Sequence, residues 1–147
     1  FIIIQKADLK PVVYNGFDLN ELIFTVVKAL QNVSRVRFYG VSMLTDVLKG
    51  VDNKRILDNR LDKIPEYGVL KKLSGETVKS VIEWMISEHL ILKTKEHYPV
   101  LHSTYEGLHY SEVMTEGKLK NLKKYLEEEV VLWNKEYVAI EQGTAKK

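Results

Sequence analysis

Residues 38–50 read Phe38-Tyr39-Gly40-Val41-Ser42-Met43-Leu44-Thr45-Asp46-Val47-Leu48-Lys49-Gly50. Their apolar side chains recur at spacings of three and four, which predicts a short amphipathic helix with one buried face. Ser42 is the expected N-cap of this helix, and Gly50 supplies the left-handed conformation that ends it. We therefore place the first landmark of the fold here.

A second short helix is expected directly after Gly50. It should begin at Asp52 or Asn53, and it would carry Lys54 and Arg55 in its first turns. Backbone N–H groups at the start of a helix and basic side chains both attract anions. This segment is the first candidate anion-binding site.

Two longer helices flank these short ones. Asp18 has the properties of an N-cap, with Glu21 at the spacing of a capping box, and an apolar stripe follows to about Asn32: Leu22, Ile23, Val26, Val27 and Leu30. Another helix is predicted from Ser74 to about His89, with a buried stripe of Val78, Val81, Ile82, Met85 and Ile86. Lys79 and Trp84 lie off this stripe, and Trp84 is expected to dock against another part of the chain.

Two strands are predicted after the Ser74 helix. They run over residues 90–95 and 98–104 and form a hairpin with a loop of about four residues near Glu96 and His97. Pro99 cannot donate a hydrogen bond to a ladder, so its strand should face an edge. The hairpin is expected to pack on the helices through Leu90, Leu92, Val100 and Leu101.

The two ends of the chain have patterns of their own. Residues 1–17 contain two β-like runs, Phe1–Gln5 and Pro11–Tyr14, which either pair with each other or pack as one extended arm. Residues 111–139 should hold a long helix, and its apolar stripe is Leu119, Leu122, Leu126, Val130, Trp133 and Tyr137. This helix either folds back over Trp84 or forms the seam of a dimer, and we favour the first. Residues 140–147 are interpreted as a flexible tail.

Composition excludes several classes of protein. The chain has 147 residues, 45% of them hydrophobic and 29% charged, and no cysteine, so disulfides and thiolate metal sites cannot occur. No apolar run reaches the roughly 18 residues of a membrane span. The formal charge is only +2, but residues 49–95 carry 10 basic and 7 acidic side chains, an excess of three positive charges. Since the chain starts without Met inside an apolar run, we interpret it as a fragment.

Motifs for catalysis are absent from the sequence. It has no glycine-rich loop that ends in Gly-Lys-Ser or Gly-Lys-Thr, so we expect no catalytic residues for nucleotide hydrolysis. The four histidines have no metal-ligand spacing, and no metal site is expected. They are His89, His97, His102 and His109.

A series of short motifs occurs in a fixed order: an aromatic residue and Gly at 38–40, a helix that ends Leu-Lys-Gly at 50, Asn-Lys-Arg-Ile at 53–56, Leu-Asp-Lys-Ile at 61–64, Tyr-Gly-Val at 67–69 and Leu-Ser at 73–74. With Ile-Ser-Glu at 86–88, Tyr-Pro-Val-Leu at 98–101 and Thr-Tyr-Glu-Gly at 104–107, the series resembles the RQC domain, the winged-helix module of RecQ-family DNA helicases. The resemblance covers roughly residues 18–110. Departures are Tyr39 within the usual Phe-Gly pair, Val78 for Trp, His89 for a small residue and Ser103 for an apolar one.

The resemblance implies an α+β fold, a winged helix over residues 18–110 with the hairpin as its wing. It implies a parent enzyme, an ATP-dependent 3′-to-5′ DNA helicase of repair and recombination in the cytoplasm, in which ATP, magnesium and zinc are bound outside this fragment. The fragment would bind duplex, forked or junction DNA as a monomer. The resemblance nominates two groups of residues for DNA binding. Those for phosphates are Asn53, Lys54, Arg55, Lys72, Ser74 and Lys79, together with Lys93 and Lys95 on the hairpin. Those for strand separation at the wing tip are His97 and Tyr98.

Two alternatives remain open from the sequence. The first is a transcription regulator that dimerises through its C-terminal helix and reads the major groove with the Ser74 helix. The second is a winged helix that contacts only proteins. A regulator should prefer one site by about 10³-fold or more over random duplex, whereas a protein-contact module should not bind DNA.

Overall fold

The computed structural model of the protein describes the backbone of residues 2–141 and the side chains up to residue 129. Within that range the chain has seven α-helices and two small antiparallel hairpins, an α+β fold as predicted. None of these helices is long and apolar enough to cross a membrane. The elements are β1 (Val13–Tyr14), β2 (Phe17–Asp18), α1 (Leu19–Ser34), α2 (Val41–Lys49), α3 (Lys54–Asp58), a 3₁₀ turn (Leu61–Lys63), α4 (Gly75–Ser87), β3 (Ile91–Lys93), β4 (Leu101–Ser103), α5 (Tyr105–Leu108), α6 (Tyr110–Val113) and α7 (Glu116–Glu141).

Helix α1 forms the centre of the core. Asp18 is its N-cap, as predicted, and the carboxylate accepts a hydrogen bond from the Asn20 N–H at 3.0 Å. Glu21 does not close a capping box, because its carboxylate pairs with Lys6 at 2.7 Å. The predicted stripe is confirmed, since all five of its members are buried: Leu22, Ile23, Val26, Val27 and Leu30.

Helix α2 begins earlier than predicted. Its N-cap is Gly40, not Ser42, and the Gly40 carbonyl already accepts the Leu44 N–H at 3.2 Å. Ser42 therefore lies inside the first turn with its side chain exposed. A side chain at Gly40 would meet the Pro99 carbonyl oxygen at 2.9 Å, so the hairpin approaches too closely for a side-chain cap. The predicted stop at Gly50 is confirmed, with φ of 75°.

Helices α4 and α7 pack against each other. Ser74 is the N-cap of α4, as predicted, and accepts the Thr77 N–H at 3.1 Å. Trp84 is buried, and its indole N–H donates to the Asn121 side-chain oxygen of α7 at 2.9 Å. The prediction that the C-terminal helix folds back and covers Trp84 is confirmed for its first half, where Leu119, Leu122 and Leu126 are buried.

The rest of α7 differs from the prediction in its bounds. The helix starts at Glu116 and continues to Glu141, which includes the first two residues of the predicted tail. Residues 142–147 lie outside the described residues. So do the side chains of Val130, Trp133 and Tyr137, which belong to the predicted stripe.

The β3–β4 hairpin, predicted as the wing, is shorter than expected. Each strand has three residues, with Leu92 opposite His102, and the connecting loop runs over residues 94–100. Thr94 closes this loop: its N–H donates to the Val100 carbonyl, and its hydroxyl accepts the Val100 N–H, both at 2.9 Å. Because a side-chain hydroxyl takes the place of a ladder partner, strand pairing stops there, and the predicted strand start at Tyr98 is wrong.

Packing of the hairpin also differs in part from the prediction. Leu90 and Leu101 are buried as expected, but Leu92 is 55% exposed. Residues that are opposite each other in an antiparallel pair share one face. Leu92 and His102 therefore lie on the solvent side, and Lys93 and Leu101 lie on the other.

The N-terminal segment packs on the core without the predicted strand pairing. The two β-like runs do not pair with each other; Val13–Tyr14 instead pairs with Phe17–Asp18 around a turn at residues 15 and 16. Ile4, Ala7 and Val12 are buried. Residues 2–12 thus form an extended arm, one of the two arrangements that the sequence left open.

The arm is fixed by a buried hydrogen-bonded triad. The Tyr110 hydroxyl accepts the Ala7 N–H at 2.9 Å and donates to the Asn20 side-chain oxygen at 2.9 Å, and the Asn20 amide donates to the Ala7 carbonyl at 2.7 Å. The Ala7–Asn20–Tyr110 triad joins the arm, α1 and α6. Burial raises the pKa of Tyr110 to about 12, so the hydroxyl keeps its proton at any physiological pH.

Candidate nucleic-acid interface

Helix α3 presents two predicted site residues to solvent. Asn53 is its N-cap and accepts the Ile56 N–H at 2.9 Å, while Ile56 is buried and anchors the helix. Lys54 and Arg55 are exposed. Lys54 pairs with Asp58 at 2.9 Å, one turn later. An exposed pair of this kind contributes about 0.5 kcal/mol at most, so the Lys54 ammonium remains available to another anion.

Tyr39 connects α3 to the hairpin, and the sequence reading missed this role. The Arg55 guanidinium carbon lies 5.3 Å from the centre of the Tyr39 ring, within the range of a cation–π contact. The Tyr39 carbonyl accepts the Leu101 N–H of β4 at 2.8 Å. Tyr39 thus contacts Arg55 through its ring and the hairpin through its backbone carbonyl. The only sign of this role in the sequence is an aromatic residue directly before a glycine.

The loop before α4 brings further cations next to the end of α2. Gly68 and Leu70 donate their N–H groups to the carbonyls of Val47 and Leu48, each at 2.9 Å. The Lys49 ammonium donates to the carbonyls of Lys71, at 3.0 Å, and Leu73. The loop is therefore tied along α2.

Lys71, Lys72 and Ser74 are exposed on that loop. Lys72 and Ser74 are residues predicted for phosphates. Lys71 adds an exposed cation next to them that was not nominated from the sequence, although the pair Lys71-Lys72 is visible there. The Ser74 hydroxyl is engaged within the helix, where it bonds the Thr77 hydroxyl at 2.9 Å and accepts the Thr77 N–H.

Helix α4 and the hairpin carry the remaining predicted cations. Lys79 is exposed on α4, and Lys95 is exposed in the hairpin loop. Lys93 of β3 lies 3.6 Å from the Glu83 carboxylate of α4, and both side chains are partly in water. This weak pair joins the hairpin to α4 and places Lys93 beside the exposed side of that helix.

The tip of the hairpin loop carries an exposed pair of aromatic side chains. His97 and Tyr98 contact each other edge to face, with ring centres 4.5 Å apart. Tyr98 is 80% exposed, so its ring does not fold back over the hairpin. Neither ring therefore contributes much to the core.

Contacts link part of the predicted set to neighbouring elements. Arg55 reaches β4 through Tyr39, the loop with Lys72 is tied to α2, and Lys93 joins β3 to α4. Lys79 and Lys95 are exposed on α4 and on the hairpin loop. Exposed lysines and arginines on this surface can bind phosphate oxygens. Among the residues with described side chains, no three histidine, aspartate or glutamate side chains cluster at metal-binding distance.

Comparison with known sequences identifies the family. The family model described as the RQC domain matches residues 14–132, which is most of the chain. The ATP-dependent DNA helicase RecQ of Bacillus subtilis (strain 168) is 32% identical over 69 residues, a match that covers 47% of this chain and 12% of that protein. The chain therefore spans only a small part of this relative. With a match over more than half of its length, the chain belongs to the RQC domain family.

Proposed function

We propose that this chain is the duplex- and junction-binding module of a RecQ-like 3′-to-5′ ATP-dependent DNA helicase that acts in DNA repair and recombination. The observation that carries the proposal is the set of exposed cations between α3 and the hairpin, in a chain of the RQC family. The similarity to a protein named as a DNA helicase supports the parent activity. A cytoplasmic location belongs to the same proposal.

The phosphates of the duplex would be bound by side chains from two elements. Lys54 and Arg55 on α3, and Lys72 and Lys79 at α4, would contact the backbone without reading bases. Asn53 and Ser74, whose side chains cap these two helices, would position them against the phosphates. Lys93 and Lys95 would continue the basic surface along the hairpin. Because these contacts are to phosphates, affinity should not depend on the sequence of the duplex.

The hairpin would act as the wing that separates strands. His97 and Tyr98 project from its tip, where an aromatic ring can stack on the terminal base pair or on the first unpaired base. Such stacking contributes about 1–3 kcal/mol per base. The parent would bind ATP, magnesium and zinc in other segments, and energy from nucleotide hydrolysis would drive the duplex against this tip.

Substitution of the α3 cations tests the proposal. Lys54→Ala and Arg55→Ala should each weaken binding to duplexes of any sequence, and each should reduce the slope of log affinity against log salt by about one. Lys120→Ala is the matched control, since Lys120 also forms an exposed ion pair one helical turn from its partner, Glu116. Losses that depend on sequence, or an equal effect of the control, would refute the assignment.

The transcription-regulator alternative makes a different prediction for assembly. It needs α7 as a dimer seam, but Leu119, Leu122 and Leu126 are buried within the chain itself. We therefore expect a monomer in sedimentation at micromolar concentration and no preferred DNA site. A stable dimer that Leu126→Glu disrupts, together with a site preference of about 10³-fold, would favour the regulator.

A further inference from the structure

The solvent face of the hairpin carries a row of apolar and aromatic side chains. The Phe38 ring lies against His102 of β4, with ring centres 4.0 Å apart, and Leu92 is directly opposite His102 in the ladder. Phe38 is 49% exposed and Leu92 is 55% exposed. We call Phe38, His102 and Leu92 the hairpin row. It lies outside the residues predicted for DNA.

The backbone of residues 38–40 runs beside β4 and leads to the tip. Phe38 contacts His102, the Tyr39 carbonyl accepts the Leu101 N–H, and Gly40 faces the Pro99 carbonyl. Pro99 directly follows Tyr98. His102 is four residues after Tyr98, so the backbone between them spans at most about 14 Å. This distance corresponds to about four stacked bases of a DNA strand. The hairpin row is thus within a few nucleotides of the tip.

The charges around the hairpin row differ between its two ends. Residues 35–38 and 91–103 contain four lysines and arginines and one carboxylate, Glu96. At the Leu92 end, Glu88 and Glu106 line the adjacent groove, and Glu83 lies 3.6 Å from Lys93, so the Phe38 end is the one that favours a polyanion. Arg37 directly precedes Phe38 and is exposed, while Lys93 and Lys95 are on the hairpin. Aromatic rings among cations are the usual combination of surfaces that bind single-stranded nucleic acid, because bases stack on the rings and the cations attract the phosphates.

We propose that the hairpin row binds one of the two unpaired strands next to the junction, with a base stacked on the exposed face of Phe38. The inference rests on the proposed function, since it assumes that strands separate at the tip. It adds a second binding surface and a path for one strand. The His102 ring supports Phe38 from behind and fixes its orientation, and Leu92 extends the apolar surface for the neighbouring base.

The test compares blunt duplex with forks that carry a single-stranded arm of about eight nucleotides, on either the 3′ or the 5′ strand. We expect the 147-residue chain to bind one of the two forks more tightly than the blunt duplex. Phe38→Ala should reduce that gain at least about fivefold, the lower end of the range for loss of one base stack, and should leave blunt-duplex affinity unchanged.

The matched control is Tyr105→Ala. Tyr105 is also exposed and also stacks on a histidine, His109, with ring centres 4.2 Å apart, but it belongs to α5 and not to the hairpin. The control should keep the full gain for the fork. Thermal unfolding of each variant verifies the fold.

A second variant keeps the test decisive if Phe38→Ala unfolds. Phe38→Trp retains a stacking ring and should retain the gain for the fork, and its added fluorescence should be quenched by the arm. Equal gains in wild type and Phe38→Ala, or no gain for either fork in wild type, would overturn the inference and leave the hairpin row to a protein contact. If the chain binds no blunt duplex, the proposed function is refuted. In that case the inference is tested separately by adding single-stranded oligonucleotide to Phe38→Trp, and it is refuted as well if the tryptophan fluorescence of this variant is not quenched.

Discussion

Tyr110 and Tyr98 are the same residue type in opposite environments. Tyr110 is fully buried, and its hydroxyl both accepts and donates a hydrogen bond in the Ala7–Asn20–Tyr110 triad. Tyr98 is 80% exposed and contacts mainly His97. The fold depends on the first tyrosine and hardly on the second. Stability and DNA binding should therefore respond to different substitutions.

The largest expected effect is on stability, at the triad. Tyr110→Phe leaves the Ala7 N–H and the Asn20 side-chain oxygen buried without their partner, which should lower the free energy of unfolding by about 1–3 kcal/mol. Tyr105→Phe is the control, because Tyr105 is exposed, and it should change that value by less than about 0.5 kcal/mol. Urea unfolding of both variants measures the difference. Equal effects would show that the triad does not stabilise the fold.

The contribution of the triad should also depend on pH. Burial raises the pKa of Tyr110 to about 12, above the value of about 10 for an unfolded tyrosine. Between these values the folded state holds more protons than the unfolded state, so stability is fully present below about pH 10 and falls as pH rises towards 12. The stability advantage of wild type over Tyr110→Phe should therefore be smaller at about pH 11 than at about pH 8. Burial also raises the pKa of Tyr14, Tyr67 and Tyr125. Because wild type and Tyr110→Phe both contain these three residues, their effect cancels in the difference between the two. An advantage that grows with pH would contradict the assignment.

The hydroxyl and the ring of Tyr39 should contribute to different properties of the protein. Its hydroxyl is buried and has no hydrogen-bond partner within the described part of the chain, so Tyr39→Phe should not lower stability. Tyr39→Leu removes the ring under Arg55, a contact of about 0.5–1 kcal/mol, and should weaken duplex binding about two- to fivefold. Titration of labelled duplex with both variants measures this effect. Equal affinity of Tyr39→Leu and Tyr39→Phe would show that the ring does not position Arg55.

The smallest effect on stability is expected at the tip. Changing both His97 and Tyr98 to Ala should alter the free energy of unfolding by less than about 0.5 kcal/mol, because exposed side chains contribute little to the core. Blunt-duplex affinity should stay nearly the same, whereas unwinding of forked DNA by the parent helicase should slow. A large drop in melting temperature would place the pair in the core, and unchanged unwinding would exclude a role in strand separation.

Much of the fold followed from local patterns in the sequence. The stripes of α1 and α4, the caps at Asp18, Asn53 and Ser74 and the stop at Gly50 each depend on a few neighbouring residues, so the chain sequence displays them directly. The predicted docking of Trp84 also needed only the observation that a large aromatic residue lay off its own stripe.

The features that the sequence did not predict depend on contacts between distant segments. Helix α2 is capped at Gly40 and not at Ser42, at a position where Pro99 leaves no room for a side chain. The strands of the hairpin end early because Thr94 bonds Val100. In the candidate site, exposed cations such as Lys54 were nominated by position. The support of Arg55 by Tyr39 and the stack of Phe38 on His102 could not be read from spacing, since 64 residues separate the last pair.

The triad also determines the order in which this chain can complete its fold during synthesis. The Ala7–Asn20 contact joins residues 13 apart, but Tyr110 is 103 residues after Ala7. At a ribosomal rate of about 5–20 residues per second, Tyr110 is made about 5–20 s after Ala7. Until then the Ala7 N–H and the Asn20 side-chain oxygen remain hydrated, and the arm is held to the nascent α1 by far fewer contacts. Binding of a chaperone to the arm would therefore compete most effectively in that interval, before α6 emerges.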